Sequence, residues 1–248
     1  MLLALLLSTA ALLILLVTIF NKAFSKGKPT CRHYILNTYL YIALGITLIA
    51  IYWLINEQKT ILITVSSFMG FIALLLVWFM LMALIRYLPP KYYILTHIIW
   101  LFAMYLLASI MFPMYAAAKE FNVLTLGILL TLATSIIVSL IGYYHKGVFK
   151  VNLRLYLFWA LIALILGELG AIYLIKDLEL KRKVMIGLSF IGIIIFGLLL
   201  LVFTKELKKR SKECKKANYP SESVKFIVAI MNILMDIFRI LVLRKMKG

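Results

Sequence analysis

Acidic residues are scarce in this chain: nine Asp and Glu stand against 27 Lys and Arg among 248 residues, a formal charge of +18. Charge of either sign is itself thin, at 15% of residues against roughly a quarter in soluble domains. Such a chain cannot cover a water-facing surface, and its hydrophobic runs leave no stretch long enough for a separate soluble domain. Cysteine is nearly missing too. Cys31 and Cys214 lie one per loop, which excludes a metal-ligand spacing, and a structural disulfide is not expected in the cytosolic loops assigned below. Signatures of catalysis are also lacking: there is no His-Glu-x-x-His run, no Gly-x-Ser-x-Gly elbow and no phosphate-binding glycine loop. No span pairs a His with a carboxylate, so the sequence argues against an enzyme and implies no cofactor and no metal.

What is present is apolar. Residues AVILMFWYC make up 65% of the chain and mean hydropathy is +1.07, which makes this an integral membrane protein. Eight runs of about 20 residues, the length a bilayer core demands, can be drawn. They are residues 1–20, Tyr34–Leu54, Thr60–Ile85, Tyr92–Ala118, Val123–Tyr144, Asn152–Ile175, Val184–Thr204 and Ser223–Leu243. The first resembles a secretory signal, but no basic residue precedes it and Lys22, Lys26, Lys28 and Arg32 follow it, so it reads as a retained span. Pro113 should kink or interrupt the fourth run. Gly187, Gly192 and Gly197 recur along the seventh and suit close helix packing.

Orientation follows from the loops. Those around 21–34, 86–91, 145–154 and 205–225 hold 17 Lys and Arg, and the opposite set, with both termini, holds nine. The positive-inside rule places the 17 in the cytosol. Because the basic residues sit between spans, topology and anionic headgroups explain them, and nucleic acid is not an expected partner. The basic tail Arg244, Lys245, Lys247 opposes this orientation, and a last segment that dips in and returns is the competing reading.

That last run holds most of the polar groups at membrane depth. Ala229, Asn232, Asp236 and Arg239 are spaced by three, four and three residues and share one helix face. Only Asp236 and Glu168, among the acidic residues, fall well inside an apolar run, and both should lie roughly 4–6 Å past the midplane on the non-cytosolic side. Asp236, Glu168, Arg239 and Asn232 are therefore the candidate ion or proton site. The competing reading has Asp236 and Arg239 neutralising each other on one helix while Asn232 bonds across an interface. His97 reads as an interface residue, and His33 and His145 as loop residues.

Two segments resemble the Bax-inhibitor-type transmembrane family, with the nearest likeness to members encoded by large DNA viruses. They are Cys31-Arg-His-Tyr-Ile-Leu-Asn-Thr-Tyr-Leu-Tyr, and Ala217-Asn-Tyr-Pro-Ser-Glu-Ser running on to Met231-Asn-Ile-Leu and Phe238-Arg-Ile-Leu. The resemblance covers about residues 31–243. It implies an all-α polytopic bundle in which residues 31–248 form seven helices around a central last helix, with residues 1–20 as an extra transmembrane helix in front. It also implies suppression of cell death and a pH-sensitive calcium leak from the endoplasmic reticulum, attributed in the family to two aspartates. Those positions fall on Phe203 and Ala229 here, while Asn232 and Arg239 match the family's Asn and Arg. The alternative function is a scaffold in the inner membrane of a viral particle, without channel activity. Expected partners are the bilayer, cations such as calcium, and other membrane or viral proteins.

Overall fold

A computed structural model describes residues 2–25, 28–59, 68–144, 153–215 and 217–246. The expected starts at Thr60 and Asn152, and His145, lie outside the described residues. Eight α-helices are described: α1 (Leu2–Phe20), α2 (Tyr34–Lys59), α3 (Phe68–Tyr87), α4 (Tyr93–Glu120), α5 (Leu124–Tyr144), α6 (Leu153–Leu174), α7 (Leu178–Lys212) and α8 (Tyr219–Lys245). The seven from α2 to α8 are long and apolar enough to cross a membrane, and α1 is a shorter apolar helix in front. The protein is thus all-α and polytopic. A two-stranded hairpin, β1 (Phe24–Ser25) paired antiparallel with β2 (Lys28–Pro29), joins α1 to α2.

Helix ends follow local chemistry. Asn218 caps α8: its Oδ1 accepts the Ser221 N–H at 3.1 Å, and Pro220 sits in the first turn, where its missing N–H costs nothing. Asp177 caps α7 by accepting the Leu180 N–H at 2.9 Å, and Lys209, Arg210 and Lys212 end that helix against its negative pole. α7 is longer than its apolar run at both ends, since the cap recruits residues 178–183 and a basic segment extends it to Lys212. Pro113 lies inside a continuous α4, without breaking it. α8 is one helix of 27 residues, about 40 Å long, so the dipping reading of the last segment gives way to a helix of spanning length.

The chain divides into two compact units: residues 1–112 with 207–227, and residues 113–206 with 228–248. α8 has the largest buried share of any candidate span, 67% of its apolar window, against 50% for α4.

In the first unit the start of α8 is clasped by α2 and the hairpin. The Tyr219 hydroxyl donates to the Thr30 carbonyl at 2.6 Å, and its ring stacks on Tyr41 at 5.4 Å and packs against Tyr34 at 5.6 Å. Tyr41 in turn meets His97 at 2.7 Å. His97 Nδ1 faces the Tyr93 carbonyl at 2.6 Å, so that nitrogen carries the proton and Nε2 accepts from Tyr41. His97 is thereby an interface residue, as its sequence position suggested. Asn37 Nδ2 donates to the Arg32 carbonyl at 2.9 Å and to the Tyr219 hydroxyl at 3.4 Å. The two segments that carry the family resemblance, 31–41 and 217–223, are therefore each other's packing partners.

The same clasp corrects the cysteine expectation. Cys31 and Cys214 form a disulfide with their Cα atoms 5.9 Å apart, 183 residues distant in sequence. The alternation of spans puts both loops at one end and the Tyr219–Thr30 hydrogen bond aligns them, which brings the two sulfurs within bonding distance. Non-reducing alkylation of the folded protein should label no thiol, and labelling should appear at both cysteines only after reduction. Cys31→Ser should lower unfolding stability by about 2–4 kcal/mol in a denaturant titration.

Candidate functional site

The second unit contains the acidic pair. Glu168 projects from α6 six residues before its end, and Asp236 and Arg239 project from successive turns of α8. Arg239 Nη1 donates to Glu168 Oε1 in a close ion pair, and the same nitrogen lies 3.6 Å from Asp236 Oδ1. It also reaches Ser189 Oγ of α7 at 3.4 Å, and the Ser189 hydroxyl bonds the Asp236 carboxylate as well. Three helices thus meet at one guanidinium.

Burial is unequal across the cluster. The Asp236 side chain is 6% exposed, whereas Arg239 and Glu168 keep 21% and 25%. Gly192 makes room for the buried carboxylate. A Cβ built at that position would overlap Asp236 Oδ2 and lie 2.9 Å from its Cγ, so no residue larger than glycine fits while Asp236 stays in place. Of the three recurring glycines on α7, Gly192 is the one with this role; Gly187 has nothing within 4 Å of such a Cβ.

Two carboxylates and one guanidinium leave one negative charge unmatched when all three are ionised. In a low-dielectric setting that excess calls for a proton, a cation or a further donor. Among the described residues no group of three or more His, Cys, Asp or Glu side chains is placed to hold a metal ion.

Glu168, Asp236 and Arg239 are therefore brought together. Asn232 is not: its Nδ2 donates to the Val228 carbonyl of its own helix at 2.8 Å. The reading in which Arg239 belongs to Asp236 alone is corrected by the cross-helix bond to Glu168, which the i, i+3 spacing could not reveal. Ala229 is buried at 1% exposure, and Phe203 lies on α7. Ser189 and Gly192 were missed as site residues. Their only sequence signal was small size on a span, which close packing explains equally well.

The end of α8 beyond the cluster is held by cations. Arg182 Nη1 donates to the Leu243 carbonyl at 3.5 Å, and Lys245 Nζ donates to the Phe121 carbonyl at 2.7 Å. The latter gives Lys245, one of the basic residues that opposed the orientation count, a place at the end of a helix.

Two substitutions test this geometry by unfolding in detergent. Arg239→Met leaves both carboxylates without their cation and should cost on the order of 3 kcal/mol, with much of that recovered in the combined Glu168→Gln, Asp236→Asn, Arg239→Met protein. Gly192→Ala should cost about 1–3 kcal/mol by overpacking, and Asp236→Ala in the same chain should relieve it.

The family described as inhibitor of apoptosis-promoting Bax1 matches the chain over residues 31–246, which takes in every span-length helix and leaves α1 outside. No curated protein matches the chain. Proteins of this family are generally non-enzymatic membrane proteins. With nearly its whole length matched and seven spans in place, the chain belongs to the Bax inhibitor family of polytopic membrane proteins.

Proposed function

We propose that this protein modulates a cation leak across its membrane, and with it cell death, through the Glu168–Arg239–Asp236 cluster. The observation that carries this reading is the mismatch of charge: two carboxylates share one guanidinium at the meeting of three apolar helices, with the more buried one seated over Gly192. A purely structural ion pair needs one acid and one base. The additional carboxylate is costly at that depth unless it takes up a proton or a cation, which is the property a gate or relay requires. The family's description as inhibitor of apoptosis-promoting Bax1 supports cell-death suppression as the cellular readout, and the reading takes an internal membrane of endoplasmic-reticulum type as its setting.

In this reading Asp236 and Glu168 stand in for the aspartates the family resemblance places at Ala229 and Phe203. The substitution moves the acidic pair from the penultimate and last helices to α6 and the second half of α8. α1, outside the family match, serves as an added membrane helix.

A second reading keeps the fold as a scaffold without conduction, for example in the inner membrane of a viral particle. The observation in its favour is that Arg239 bonds Glu168 and approaches Asp236, so that part of the charge is matched internally. Calcium flux into liposomes, measured at two pH values, separates the two. The leak reading expects flux that differs between the pH values and falls several-fold in Asp236→Asn and in Glu168→Gln. Flux absent at both pH values and unchanged by Asp236→Ala ends that reading. Immunoblotting of purified particles tests the scaffold version, and absence from them counts against it.

A further inference from the structure

The first unit has one strongly cationic end. Its segments at 28–32, 85–93 and 217–220, with Cys214, are drawn together by the Cys31–Cys214 bond, the Tyr219–Thr30 hydrogen bond and the bond from Asn218 Nδ2 to the Ile85 carbonyl at 3.3 Å. Lys28, Arg32, Arg86 and Lys91 are exposed in those segments. The C-terminal turns of α7 join them. Lys208, Lys209 and Lys212 fall within one arc of about 100° on that helix, while Leu207 and Arg210 face the other way.

The inward face is fixed. Leu207 is buried at 1% exposure, Arg210 Nη1 bonds the buried Glu222 carboxylate, and Cys214 is tied by its disulfide just past the helix end. Lys209 and Lys212 are exposed on the side away from buried Leu207, and Lys208 beside them is half-buried. The Glu222 carboxylate is matched by Arg210 and by Lys225, the latter at 3.2 Å, so the cations of the inward face serve that acid.

Depth sets the partner. The apolar part of α7 ends at Thr204, and a rise of about 1.5 Å per residue puts Lys208 and Lys209 roughly 6–8 Å beyond it and Lys212 about 12 Å. The headgroup layer is about 5–8 Å thick on each side, so the arc begins within it and ends about one Debye length outside. Exposed Tyr87 and Tyr92 on the neighbouring loop, at 77% and 46%, are the aromatic pair expected at that boundary.

We propose that this cationic end, led by the Lys208–Lys209–Lys212 arc, binds anionic phospholipid headgroups of its own leaflet, with preference for those that carry more than one phosphate. A soluble acidic protein would have to dock at headgroup level, beside lipid. A polyphosphorylated headgroup is already there and matches several ammonium groups at once.

Native mass spectrometry of the purified full-length protein tests this. Its probes are phosphatidylcholine, phosphatidylserine and phosphatidylinositol bisphosphate, with soluble inositol trisphosphate as competitor. The expected result is retention in the order bisphosphate, serine, choline, with bisphosphate retention falling tenfold or more in Lys208→Gln/Lys209→Gln/Lys212→Gln. A charge-matched control, Lys176→Gln/Lys183→Gln/Arg244→Gln, should retain the lipid as the wild type does. Equal retention of neutral and anionic lipid, or equal loss in the control, overturns the proposal. Complete displacement by an equal concentration of the soluble trisphosphate also overturns it, because the ligand is then a free phosphate and not a lipid. Circular dichroism confirms that the arc variant is folded, and a neutral-lipid adduct level equal to wild type gives the same check.

Discussion

A charge inside a bilayer has to find an opposite charge or be neutralised, a carboxylate by taking up a proton, and the arrangement of the second unit follows from that constraint. Arg239 alone on α8 would have to reach for the headgroups; Asp236 alone would be an unmatched acid beside glycine. Together with Glu168 of α6 they form a junction that fixes which faces of α6 and α8 look inward. Ser189 adds a hydroxyl from α7 and Gly192 supplies the vacancy the carboxylate occupies, so the sequence of α7 is shaped by a residue 44 positions downstream. Two carboxylates against one guanidinium distinguish this junction from a one-to-one ion pair.

The start of α8 is held by other means. Tyr219, Tyr41, Tyr34 and His97 form an aromatic network in which the Tyr41 hydroxyl and His97 Nε2 bond each other, while the Tyr219 hydroxyl and His97 Nδ1 bond the Thr30 and Tyr93 carbonyls, and a disulfide closes the loops outside. A small pocket beside it, of about 20 Å³, has room for no more than a water molecule among Thr96, His97, Asn218 and Tyr219. The start of α8 is thus bound by rings and a covalent bond, and its second half by an ion-paired cluster.

Much of this was legible in the sequence. The long helices α2 to α8 came from hydropathy, because twenty apolar residues in a row leave few alternatives, whereas the eighth expected span, residues 1–20, is a shorter apolar helix. Equal offsets on two helices that run the same way gave the expectation that Glu168 and Asp236 could meet, and Arg239 lies between them. Helix ends were harder. The sequence marks where apolar residues stop, whereas α7 continues through a cap at Asp177 and a basic extension to Lys212 that remain helical in water. The disulfide was hidden by its separation of 183 residues, and Asn232 was misassigned because helical spacing gives the face a residue shares but not the bond it makes. Gly192 could not be singled out from Gly187 and Gly197, since only the carboxylate opposite it sets it apart.

The central claim is that α8 stands inside the protein, its Asp and Arg turned away from lipid. Oxygen accessibility of spin labels placed along α8 in a reconstituted bilayer measures this most directly, with lipid-facing Leu129 and Ile136 of α5 as references at 59% and 57% exposure. Labels at Ile227, Ile233 and Phe238, each at 0% exposure, should show accessibility far below both references. Accessibility at those three positions equal to that of Leu129 would place α8 at the lipid boundary and contradict the account.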